Sequence, residues 1–152
     1  MQVQGDMLAF IPPAGSNPPQ GTLVGSLSGI RSLLAQEPLT EAKLEAAITL
    51  TEELVMPIIR SLPAGAALKV SGPVLAEVVD LLPTSNPASN GATFAIESVE
   101  LLFNQLADYA AGSPAAWRHP TSPADLALGL VVLREVMHHG GYRSVSLQPG
   151  TG

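Results

Sequence analysis

The chemistry open to this chain rests on three histidines and thirteen carboxylates, because it has no cysteine. His138 and His139 stand together near the end of a predicted helix. Neighbouring helical positions diverge by about 100°, so the two rings are poorly placed to share one ion. Metal-binding helices use histidines at i and i+4 instead. A histidine in a last helical turn is explained by the helix dipole and by the free carbonyls there. His119 lies in the segment Trp117-Arg118-His119-Pro120. No serine sits in a Gly-x-Ser-x-Gly elbow that could use it as a base. Trp117 and Arg118 are of types enriched at interface hot spots. The competing reading is a tryptophan that caps a helical bundle and an arginine that pairs with a carboxylate.

Glu97, Glu100 and Asp108 share one helical stripe. They match neither the Asp-x-Asp-x-Asp-Gly pattern of a calcium loop nor the Glu-x-x-His of a di-iron bundle, and read as a solvated face. Gly-x-Gly-x-x-Gly and the Walker lysine are both missing. The residues therefore assign no catalytic group, no cofactor and no metal ligand, and the reading leans away from an enzyme. The alternative is a small enzyme whose site is assembled from scattered His and carboxylate residues, such as His119, His138 and a nearby acid.

At 152 residues, one domain with a sizeable core is expected. Hydrophobic residues make up 46% of the chain and aromatics only 4%, so that core must be aliphatic. So few aromatics leave almost nothing on which bases could stack. The net charge of −6 repels phosphate backbones, and the seven basic residues are dispersed, so nucleic acid and anionic membrane surfaces are not expected partners. The beginning of the chain shows no basic, apolar leader pattern, and no apolar run reaches membrane-spanning length. A cytoplasmic location is the expectation.

Apolar residues at three-four spacing predict the elements. Leu23, Leu27, Ile30 and Leu34 suggest a helix over 22–36, weakened by Gly25 and Gly29. Thr40 is a candidate N-cap for a long helix to about Leu62, seamed by Leu44, Ile48, Thr51, Val55 and Ile58, with a kink or break expected at Pro57. Ser71-Gly72-Pro73 opens a helix to Leu82, and another is expected from Ala92 to Ala111. Ser122-Pro123-Ala124-Asp125 starts a helix that is apolar nearly all round and hence central, closed by a glycine cap. The fold expected is an all-α, single-domain bundle of four to five helices. A minimal two-stranded pairing of the chain ends, residues 7–11 beside 142–147, is the variation allowed. Residues 1–21 read as an arm and Pro/Gly-rich loop, 22–147 as the helical domain and 148–152 as a flexible tail.

Abundant apolar helix face with little reactive chemistry points to a non-enzymatic protein-interaction module, a small acidic adaptor, chaperone-like or assembly subunit. A purely structural subunit is a further alternative. Leu54 and Ile59 on one long helix, and Leu101 and Leu102 on the other, widen the apolar stripes beyond what two-helix packing requires. They are the candidate contacts with a protein partner or a second copy, together with Trp117 and Arg118.

Overall fold

The computed structural model describes residues 1–11, 22–62, 67–84 and 92–148. Within them the chain forms β1 (Gln2–Gln4), β2 (Met7–Phe10), β3 (Thr22–Ser26), α1 (Ser28–Leu34), α2 (Glu41–Ile59), β4 (Leu68–Val70), α3 (Pro73–Asp80), β5 (Thr93–Ala95), α4 (Ile96–Ala110), α5 (Pro123–Gly140) and β6 (Ser144–Leu147). The fold is mixed α/β, which overturns the all-α bundle. Two three-stranded sheets accompany the helices, one antiparallel in the order β1-β2-β3 and one mixed in the order β4-β6-β5.

Strands were expected only at the chain ends, 7–11 and 142–147, and the shortness of the others gives the physical reason. Each is three to five residues long. A run that short holds barely two periods of alternation. The expected helix over 22–36 divides: Thr22–Ser26 is β3, and the helix begins only at Ser28. Gly25 has a φ of +147°, which no helix accommodates. The helix expected from Ala92 likewise starts with strand β5. The chain ends do form strands but do not pair with each other as proposed: β6 runs parallel to β4 and antiparallel to β5.

The two sheets are joined at Ser71. Its amide donates to the Met1 carbonyl at 3.1 Å, and its carbonyl accepts from Val3 at 3.0 Å. Gly72, next in line, has a φ of +112°, and a Cβ there would collide with the Val3 carbonyl oxygen. This close approach fixes β1 against the start of α3. Residues 12–21, which hold the Pro/Gly-rich loop, and 149–152 of the expected tail lie outside the described residues.

Helix α5 is the axis of the core, as its sequence predicts. Leu126 to Leu133 are all buried, and α5 packs against α1, α2, α3 and α4. Pro123 sits in its first turn, and Gly141 closes it in the left-handed conformation at φ +66°. Thr40 caps α2 through its side chain, accepting from the Lys43 amide at 3.4 Å. Pro57 is accommodated inside α2, whose last residue is only two positions further on. The N–H that Pro57 lacks is the one that would donate to the Glu53 carbonyl, and α2 runs only two residues beyond that loss. Among the described residues, no helix is long and apolar enough to cross a membrane.

Candidate functional site

Among the described residues, one acid is buried in the core, and it lies on the central helix. Glu135 is 1% exposed, between the buried residues Leu133 and Val136 along α5. An unpaired carboxylate there would be strongly disfavoured, so its partners define the site. Arg134 donates to Glu135 Oε1 from Nη1 at 2.5 Å, and to Glu100 Oε2 of α4 from Nε at 3.0 Å. The same guanidinium lies 4.4 Å from the centroid of the Phe103 ring, a cation–π arrangement. Burial alone would lower the Arg134 pKa, but the hydrogen bonds and charges of Glu100 and Glu135 outweigh it and raise the value above the ordinary one.

The second oxygen of Glu135 faces His139, one turn further along α5. Nε2 of His139 lies 3.2 Å from Glu135 Oε2 and 2.9 Å from Glu52 Oε1 of α2. Both partners are acceptors, so Nε2 carries the hydrogen in this arrangement. The ligating atoms of Glu52, Glu135 and His139 all lie within 4.8 Å of one another. Three helices thus converge on one charged centre, with Glu135 at its buried end and Glu52 and His139 at its partly open end.

The pairing of histidines weighed from the sequence does not make this centre. His138 stacks edge-on against His139 at 5.2 Å, but its side chain is exposed. His119 is elsewhere, hydrogen bonded to Gln105 Oε1 at 2.7 Å. The informative signal was Glu135-x-x-x-His139, the i, i+4 spacing that stacks two side chains on one helix face. Glu100, read as part of a solvated stripe, is half-buried through its bond to Arg134. Glu97 and Asp108 are exposed.

The predicted contact residues separate. Ile59 and Leu102 belong to the core. Leu101 is 61% exposed. Its helical neighbours Glu97, Asn104 and Asp108 are exposed and polar, so it stands alone rather than in a patch. Trp117 is half-buried and donates from Nε1 to the Thr121 carbonyl at 2.8 Å, with His119 edge-on at 4.9 Å. Arg118 donates to the Ala115 carbonyl at 3.3 Å rather than to a carboxylate. These bonds tie the loop internally, and His119 ties it to Gln105 of α4.

Leu54 alone of the four lines an open apolar surface. A groove of about 320 Å³ between α1, α2 and the end of β3 is walled by Ser26, Gly29, Ile30, Leu50, Glu53 and Leu54. Leu50, absent from the sequence candidates, is 42% exposed at its rim. Gly25 admits Leu54 to the groove wall, since a Cβ at Gly25 would come within 2.9 Å of Leu54 Cδ1. A hollow of about 460 Å³ beside the mixed sheet is lined by Gly140–Ser146 with Ala67, Leu68 and Thr93. Tyr142 borders it, and burial raises the pKa of its phenol. The chain matches no protein-family model and no curated protein sequence.

Proposed function

We propose that the protein is a non-enzymatic interaction module that receives an apolar side chain of a partner protein in the α1–α2 groove. The observation that carries this reading is the coincidence of Leu50 and Leu54 on one open wall of that groove. They are one helical turn apart, the spacing at which an amphipathic partner helix presents its own anchors. Glu53, an exposed acid at the rim, adds a negative charge beside them. The net charge of −6 has the same sign. The partner chemistry that fits is a basic, amphipathic segment, steered by charge and anchored by one or two aliphatic side chains. Its cellular compartment is proposed to be the cytoplasm, in keeping with the absence of cysteine.

The test compares wild type with Leu50→Glu, a change at an exposed position. Both are used to capture proteins from native lysate, and the captured sets are compared by quantitative mass spectrometry, with circular dichroism as the folding control. Proteins retained by wild type should be lost from the variant at unchanged helix content. Identical captured sets would refute the groove as the contact surface. Sedimentation velocity of both forms distinguishes self-association from capture of another chain.

A further inference from the structure

We propose that Glu52, Glu135 and His139 form a binding site for a divalent transition-metal cation with mixed nitrogen–oxygen coordination. Three features of the centre support it independently of the groove. The first is the donor set. One imidazole nitrogen and two carboxylates, from two helices, have ligand atoms within 4.8 Å of one another. This is the three-ligand arrangement that leaves a fourth position open in tetrahedral zinc sites. With metal–ligand bonds near 2.05 Å and tetrahedral angles, neighbouring donor atoms sit about 3.3 Å apart. The two distances from His139 Nε2, 2.9 and 3.2 Å, are close to that value, and the remaining pair, Glu52 with Glu135, lies within 4.8 Å.

The second feature is the charge balance. Glu52, Glu100 and Glu135 bring three carboxylates, against which stands one guanidinium, that of Arg134. A protonated His139 still leaves the centre one positive charge short. One hydrogen on Nε2 must also serve two carboxylates at once. A dication in its place would engage all three donors fully.

The third is the outer support. Arg134 holds Oε1 of Glu135 and leaves Oε2 turned to His139. Glu100 in turn holds Arg134. Outer partners of this kind orient metal ligands and tune their basicity. Glu52 and His139 are partly exposed, so the centre is open to solvent at that end. The imidazole donor disfavours magnesium and calcium, which take oxygen ligands.

The experiment uses untagged, chelator-treated full-length protein, titrated calorimetrically with Zn²⁺ and followed by thermal unfolding. Co²⁺ serves as a spectroscopic probe, because its visible absorption reports low-coordinate binding. Wild type should take up about one equivalent, unfold at higher temperature with metal, and give an intense visible band with Co²⁺. His139→Gln and Glu52→Gln, both at the open end, should each weaken binding by at least about tenfold. His138→Gln and His119→Gln should leave it unchanged. Magnesium should neither bind nor stabilise. Failure of wild type to bind Zn²⁺ overturns the proposal. So does equal loss in His138→Gln, or full affinity in Glu52→Gln. The groove reading is untouched by any of these results, because Leu50→Glu alters no ligand.

Discussion

Helix α2 presents Glu52 on one side and Leu50 and Leu54 on the other, about 160° away at 100° per residue. The two sides are held in opposite ways. Toward α5, Glu52 belongs to a network in which every charged group has a named partner, ending at the buried Glu135. Toward α1, Leu50 and Leu54 line an open groove together with Ile30 and Gly29. One side is over-determined internally, and a change there propagates into folding. The other side is under-determined, and a change there is felt by whatever occupies it. The same helix thus separates a region of mutually bonded charged groups from a region that has apolar area to offer.

The sharpest way to break this contrast is at Arg134. Arg134→Met removes the partner of a carboxylate that is 1% exposed, leaving it held only by His139. Breaking a buried pair from one side typically costs about 3–5 kcal/mol, because the remaining charge has no compensation. Denaturant unfolding of the variant should show a loss of that order. The double change Arg134→Met, Glu135→Leu should recover most of it, since an aliphatic pair fits the apolar surroundings of α5. If the single change costs less than about 1 kcal/mol, the charged centre is not the determinant that its burial implies.

What the sequence disclosed divides along the same line. The axis of the fold was legible because α5 is long and apolar nearly all round, a pattern that holds over about three turns from Leu126 to Met137. The capping signals at Thr40 and Gly141 were legible because each is local. The strands were not, because pairing of β6 between β4 and β5 joins segments far apart in the chain and too short to show a period. The charged centre was half legible. Glu135 and His139 have a helical spacing that one helix reveals, but Glu52 meets them only through tertiary packing of α2 on α5. The adjacent pair His138 and His139 diverges around the helix, and the residues that meet are the pair four apart. Of the apolar candidates, the helical period could not say which side of a wide stripe faces inward. Ile59 and Leu102 turned in, Leu54 turned to the groove and Leu101 turned out.

A smaller effect is expected at Leu54, whose packing is partial. Leu54→Ala should lose about 1 kcal/mol from the buried part of the side chain and should enlarge the groove. Its distinctive outcome is a divergence between two readouts. Partner capture should fall as far as it does in Leu50→Glu, while stability falls only slightly. A loss of several kcal/mol would place Leu54 in the core and leave the groove without an apolar wall of its own.

The least effect belongs to Leu101, and it separates exposure from function. At 61% exposure it is the most open leucine among the exposed large hydrophobic residues, and exposure alone would make it the first choice for an interface. Yet its surroundings on α4 are Glu97, Asn104 and Asp108, with no second apolar side chain beside it on that face. Single exposed leucines are normal on protein surfaces, and a contact surface needs contiguity. Leu101→Glu should therefore change stability by no more than about 0.5 kcal/mol. It should leave the sedimentation coefficient at high concentration unaltered and keep the captured proteins of wild type. A fall in mass from dimer to monomer in this variant would move the contact surface from the α1–α2 groove to α4, and would show that one leucine on an acidic face suffices to hold two chains together.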